Sequence, residues 1–221
     1  MVSHFELSEF LIAYCSRNDT IITNKKLQKI VYYCEAWHLA VQKESLIKAD
    51  FEAWAHGAVI RSLYALYADN RYDPITLNDA DIDGIIERFR ISTHPESLKI
   101  IDKVISRYIN LSADDLEQLN HCEYPWIAAR NGLPDGAHCT NIIDKQNILD
   151  YYSIRALREG MKPLKYDVYK PSKEALKKAQ NRIRQKTPCV KTEAERKARD
   201  RFVLDSYLAC VDSIDRAEYG R

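Results

Sequence analysis

The segment that most constrains the fold is residues 23–40, where a long run of apolar residues at helical spacing follows a good helix N-cap. Thr23 is the N-cap, because its hydroxyl can accept a hydrogen bond from the first helical turn. Apolar side chains then recur at i, i+3, i+4 and i+7, which predicts a helix with one face against a core. The predicted stripe comprises Leu27, Ile30, Val31, Cys34, His38 and Val41, with Lys25, Lys29, Glu35 and Gln42 opposite it.

A second informative segment, residues 51–64, combines aromatic residues with a glycine break. Aromatic side chains suit a half-buried strand, so residues 51–56 are predicted to form one, ending before Gly57. We predict a helix over 59–68 that turns Leu63, Leu66 and Tyr67 inward. Residues 140–143 are predicted to pair with the first strand.

Further helices are predicted from caps and periodicity. Ser3 or Ser8 starts the first, Ser112 opens one in a capping box, Pro125 lies in a first turn and Asp144 caps the last. The predicted ranges are 3 or 8 to 16, 80–89, 97–108, 113–121, 125–130 and 144–158. We therefore predict a mainly α fold: a compact helical domain with a small antiparallel β element of two or three short strands, plus a C-terminal helical extension.

Composition narrows the class of protein. The 221 residues, 46% of them hydrophobic, suffice for a sizeable core. No apolar run is long enough to span a membrane and the first residues do not resemble a secretory signal, so we expect a cytoplasmic protein without membrane contact. The six cysteines lie far apart, which favours reduced thiols over a disulfide framework.

Charge divides the chain in two. Residues 1–160 hold 17 Lys and Arg against 23 Asp and Glu, a net −6, whereas residues 161–221 hold 16 against 9, a net +7. Such asymmetry suggests an interaction segment. We predict a domain over 1–160 and a basic helical extension over 161–221 that binds a partner or packs on the domain. Its predicted partner-binding residues are Lys177, Lys178, Arg182, Ile183, Arg199, Phe202, Val203, Tyr207 and Val211.

Several residues are candidates for catalysis or metal binding, but a structural role explains each of them better. The pairs His121-Cys122 and His138-Cys139 lack the spacing of zinc ligands. His56 has no accompanying nucleophile and is expected to be hydrogen-bonded at a strand end. Other candidates are a Cys34–His38 dyad, which packing explains, and a calcium loop at Asp79, Asp81 and Asp83, which reads better as an acidic helix start. We expect no catalytic residues, no metal and no cofactor.

Motifs in order along the chain resemble the Panacea domain family. They are residues 23–33, TNKKLQKIVYY; residues 51–59, FEAWAHGAV; Leu63-Tyr64; and residues 121–130, which include Pro125-Trp126 and Ala129-Arg130. The resemblance covers about residues 5–158, and Ala58 departs from the family, which usually has proline there. The matched residues are expected to be structural, with Trp54, Tyr64 and Trp126 supplying large buried areas and Gly57 backbone freedom. This structural set is Leu27, Gln28, Tyr32, Trp54, His56, Gly57, Tyr64, Pro125, Trp126 and Arg130.

The resemblance implies a function in toxin–antitoxin systems. Panacea proteins are typically encoded beside small toxins in bacterial and phage genomes and neutralise them by direct binding. We therefore expect a non-enzymatic antitoxin whose partner is a cognate toxin protein. The alternatives are an adaptor that delivers the toxin to a protease and a DNA-binding autoregulator. Nucleic acid is the less favoured partner, and a homo-oligomer is left open.

Overall fold

The fold is mainly α-helical, as predicted. The computed structural model describes residues 1–77, 81–134 and 136–159. Within them are eight α-helices, one two-stranded antiparallel sheet and a short 3₁₀ turn at Ala68–Asn70. The elements in order are α1 (His4–Arg17), α2 (Asn24–Gln42), β1 (Glu52–Trp54), β2 (Gly57–Val59), α3 (Arg61–Leu66), α4 (Ile82–Ser92), α5 (Pro95–Tyr108), α6 (Ala113–His121), α7 (Tyr124–Arg130) and α8 (Lys145–Glu159).

Helix α2 lies at the centre of the fold, and α1, α5, α6, α8 and β2 pack around it. The predicted N-cap is confirmed, since Thr23 Oγ1 accepts a hydrogen bond from Lys26 N–H. The predicted core stripe is confirmed except at Val41, but the predicted polar face opposite it is wrong. Lys29 and Glu35 are buried to 1% and 0% exposure, whereas Val41, placed on the stripe, is 46% exposed. A helix enclosed on all sides must bury its polar residues too, and these need partners inside the protein.

The predicted helix termini are confirmed where local hydrogen bonds define them. Ser3 and Ser112 each form a capping box at the start of α1 and α6. Asp81 accepts a hydrogen bond from Gly84 N–H and so caps α4, which supports the acidic helix start. Asp144 accepts one from Gln146 N–H at the start of α8, and Pro125 lies in the first turn of α7. Capping therefore accounts for most of the helix starts.

The small sheet is a hairpin that the sequence predicted only in part. Strands β1 and β2 pair antiparallel, with Trp54 opposite Gly57. Gly57 therefore starts a second strand instead of only breaking the chain. Residues 140–143 form no strand, although Ile142 makes an isolated bridge to Glu52 along the other edge of β1. The next helix, α3, is shorter than the predicted 59–68, and Leu66, predicted to turn inward, is 57% exposed.

Aromatic side chains fill the space between α2 and its neighbours. Tyr33 stacks on Tyr108 of α5 with ring centroids 4.1 Å apart. Trp37 packs edge-to-face on Tyr152 of α8 and donates its indole N–H to the Tyr108 hydroxyl at 2.9 Å. These rings join both α5 and α8 to α2.

None of the helices in the described part of the chain combines the length and the hydrophobicity needed to cross a membrane.

Candidate partner-binding site

The two groups of predicted site residues have different outcomes. The nine residues of the basic extension, from Lys177 to Val211, lie outside the described residues. The ten motif residues lie within them, and most converge on the hairpin. The hairpin and the side chains around it are therefore the candidate site.

Buried side chains from α2 and α6 satisfy the outer edge of β2. Ala58 N–H donates to Asn120 Oδ1 at 2.7 Å, and Lys29 Nζ donates to the Ala58 carbonyl at 3.0 Å. Ile60 N–H, just beyond the strand, donates to Gln28 Oε1 at 2.9 Å. An open strand edge would offer these groups to another chain. Here they are taken, so the hairpin is fixed to the helices beneath it.

Gly57 is required at the hairpin turn for two reasons. Its φ of +96° lies in the region that side-chain-bearing residues avoid. A Cβ at this position would lie 2.6 Å from Lys29 Cε and 2.7 Å from Asn120 Oδ1. Sequence reasoning identified the backbone freedom. It did not identify the close approach of Lys29 and Asn120.

Lys29 is the most unusual ionisable group of the site. Burial lowers the pKa of its amine to about 7, while Glu117 acts to raise it and Lys25 to lower it further. Desolvation disfavours the charged form of a lysine, so the amine is close to half-protonated near neutral pH. Lys29 and Asn120 were both missed as site residues. In a single sequence nothing distinguishes Lys29 from Lys25, which is partly exposed on the same helix.

Motif residues of α7 bind the carbonyl groups of β1. Trp126 donates its indole N–H to the Trp54 carbonyl at 3.0 Å, and Arg130 Nη1 donates to the Ala53 carbonyl at 3.1 Å. The Arg130 guanidinium also lies over the Trp126 ring, 4.9 Å from its centroid. Both side chains are buried, at 3% and 2% exposure. They hold the hairpin from the side opposite α2.

The remaining motif residues fill the core or its border. Leu27 and Tyr32 are fully buried on α2, and Pro125 is buried in α7. His56 is hydrogen-bonded to Glu117 at 3.1 Å, which confirms the predicted bond at a strand end. Burial acts to raise the pKa of Glu117, but hydrogen bonds from Lys25 and His56 outweigh it, so that pKa lies below its usual value. Glu117 is therefore a carboxylate that fixes the turn to α6.

The outward side of the hairpin carries a group of side chains that we call the hairpin face: Glu52, Trp54, Arg61, Tyr64 and Ile142. Glu52 accepts two hydrogen bonds from Arg61, at 2.9 and 2.8 Å, and one from the Trp54 indole at 2.7 Å. The bonds from Arg61 hold the pKa of Glu52 below its usual value. The Trp54 and Tyr64 rings are 4.9 Å apart. Trp54 is only partly buried and Tyr64 is 41% exposed, so Tyr64 does not supply the large buried area expected of it.

Several residues considered for catalysis or metal binding make structural contacts, and Asp79 lies outside the described residues. His38 is hydrogen-bonded to the Glu44 carbonyl and to Ser97 Oγ, and burial raises the pKa of the Cys34 thiol far above the range of a reactive thiolate. His121 stacks on Trp126 with ring centroids 4.1 Å apart. No group of three or more His, Cys, Asp or Glu residues in the described ranges could hold a metal ion.

Comparison with known proteins finds a family that residues 27–127 resemble. Residues 27–127 match the family model described as "Antitoxin SocA-like, Panacea domain". The matched range begins at Leu27 in α2 and ends within α7, so it includes the whole hairpin and its buried partners Lys29, Asn120 and Trp126, but not Arg130. Neither the curated proteins nor the solved structures contain a match to the chain.

Proposed function

Because residues 27–127 match the model described as an antitoxin SocA-like Panacea domain, we propose that the chain is an antitoxin that neutralises a cognate toxin by direct protein–protein binding. The family match carries this proposal. The geometry supports it, since Trp126, Arg130, Gln28 and Gly57 are used inside the protein to hold the hairpin. A scaffold of this kind leaves its surface free to differ between partners.

We further propose that two segments of the chain have different functions. Residues 1–160 form the Panacea domain, and residues 161–221 form a basic extension that grips the toxin. The net charge of +7 of the extension favours a toxin with an acidic surface, because complementary charge speeds association and selects partners. The nine extension residues from Lys177 to Val211 are the proposed contacts.

The test is co-expression with the product of each adjacent gene. The full chain should restore growth of cells that express one of these products and should co-purify with it. The toxin itself should remain chemically unchanged. The chain lacking residues 161–221 should lose the rescue. No rescue by the full chain would contradict the antitoxin function, and full rescue by the shortened chain would contradict the role of the extension alone.

The same experiment separates the other mechanisms. Masking leaves the toxin abundant and silent, whereas an adaptor for a protease lowers the amount of toxin when the antitoxin is present. A DNA-binding autoregulator instead retains operator DNA, with an affinity that falls steeply with salt. We expect the toxin level to remain unchanged.

A further inference from the structure

The hairpin face has the composition and order of a protein-binding surface. Trp, Tyr and Arg are the residues most enriched among energetically dominant interface contacts. Glu52 and Trp54 alternate onto one side of β1, and Ile142, opposite Glu52 in the bridge, shares that side. Arg61 and Tyr64 reach the same place from α3. Ile142 is 53% exposed, so the face includes a large apolar side chain open to solvent.

The face is ordered before any partner binds. The two hydrogen bonds from Arg61 and the one from Trp54 fix three side chains around the Glu52 carboxylate. The guanidinium of Arg61 lies 5.8 Å from the Trp54 ring centroid. Side chains fixed in this way lose little conformational entropy on binding. The backbone below them is fixed as well, through Trp126 and Arg130.

A free hydrogen-bond donor of the face indicates which partner it accepts. Both Glu52 oxygens are engaged, so the only carboxylate of these five residues is already paired. Arg61 uses Nε and Nη2 for Glu52, and Nη1 has no partner among the described residues. The face therefore offers a guanidinium N–H donor beside Ile142, Trp54 and Tyr64.

We propose that the hairpin face is a docking surface for a toxin segment that presents an apolar side chain next to a carboxylate. The apolar side chain packs between Ile142, Trp54 and Tyr64, and the carboxylate accepts a hydrogen bond from Arg61 Nη1. The inference rests on the proposed antitoxin function and adds a second contact to the one proposed for residues 161–221.

The test uses the adjacent-gene product that the full chain neutralises, with affinity measured on purified full-length proteins. Ile142→Asp and Arg61→Glu should each weaken binding by on the order of 30-fold, the size expected of a dominant contact. Ile91→Asp is the matched control. Ile91 is 78% exposed on α4, which packs against α1, and its substitution should leave the affinity unchanged.

A charge exchange tests the chemistry of the partner. Carboxylates on the toxin are changed to lysine one at a time, and one of these variants should restore most of the affinity lost by Arg61→Glu. Thermal unfolding checks that each variant is folded, and Tyr64→Ala replaces any that is not. If the wild-type chain neutralises the toxin and the face variants bind it within about threefold of wild type, the docking surface is wrong and the antitoxin function stands. If the wild-type chain neutralises no adjacent product, both proposals fail.

Discussion

Gly57 is the residue on which the hairpin geometry depends most directly. Gly57→Ala should lower the free energy of unfolding by roughly 2–5 kcal/mol, because it adds a strained positive φ to a steric overlap with Lys29 and Asn120. Urea unfolding measures the change. Gly132→Ala is the matched control. Gly132 also has a positive φ, +81°, but no atom lies within 4 Å of its Cβ position, so only about 1 kcal/mol should be lost. Equal losses at the two sites would contradict the overlap.

The amine of Lys29 makes stability depend on pH in a defined direction. Its folded pKa of about 7 is below the value near 10.4 of an unfolded chain, so between these values the unfolded state binds more protons. The free energy of unfolding therefore gains up to about 1.4 kcal/mol per pH unit from this group as pH rises through that window. Below pH 7 the cost of burying the charge is present in full.

Lys29→Met removes this dependence. The stability of wild type minus that of the variant, measured by urea unfolding, should increase steadily from pH 7 to about pH 9. Lys25→Met is the control, because the pKa of Lys25 is raised, with its hydrogen bonds to Asp114 and Glu117 outweighing partial burial. Stability from Lys25 is lost only as pH rises through that higher pKa, so its difference should stay flat over the same window. A flat difference for Lys29→Met would contradict a buried amine that titrates near neutrality.

At the scale of elements, the helix caps could be predicted from the sequence, whereas the burial of α2 on all sides could not. Ser3, Ser112 and Asp144 cap their helices through contacts within three residues, and a sequence displays such contacts directly. The burial of Lys29 and Glu35 depends on α5, α6 and α8 surrounding α2, and no local pattern encodes this. Glu35, for example, accepts hydrogen bonds from Leu46 N–H and Ile47 N–H. Its side chain looks polar and exposed in the sequence because its partners are backbone groups.

Only the first strand of the hairpin was predicted, for a similar reason. Two-residue hairpin turns are commonly recognised from Asn-Gly or Asp-Gly pairs with positive φ at the central residues. In this turn the positive φ falls on Gly57, after Ala55 and His56. The strands are only three residues long, too short for alternation to be visible. The motif resemblance located the segment, but its function as a scaffold became clear only from the side chains that bind it.

Helix α6 contributes to the hairpin through Asn120. Asn120→Ala leaves the buried Ala58 N–H without its acceptor, which should cost about 1–3 kcal/mol in the free energy of unfolding. Hydrogen exchange at the Ala58 amide should accelerate at the same time. Asn141→Ala is the control. Asn141 donates to the Ala129 carbonyl from an exposed position, so its loss should cost less than about 1 kcal/mol. Unchanged exchange at Ala58 in the Asn120 variant would show that the hairpin does not depend on α6.

At the scale of the whole molecule, the core couples stability to alkaline pH. Tyr32, Tyr33, Tyr108 and Tyr152 are buried between α2, α5 and α8, and burial raises the pKa of each phenol. Below pH 10 these phenols are neutral in both states. Above it they ionise only in the unfolded chain, so stability falls by up to about 1.4 kcal/mol per pH unit for each. Because the free energy of unfolding of a domain is about 5–15 kcal/mol, unfolding should follow within a few pH units above pH 10.

The expected result is a cooperative alkaline transition in which phenolate absorbance and loss of helical circular dichroism rise together. Tyr72→Phe is the control: Tyr72 is 92% exposed, and its substitution should leave the cooperative transition unchanged. Tyr33→Phe should make the transition less steep, because one fewer buried phenol is linked to unfolding. It should cost little stability at neutral pH, since the Tyr33 hydroxyl has no hydrogen-bond partner among the described residues. Gradual ionisation of every tyrosine with unchanged helicity would mean that water reaches this core without unfolding it.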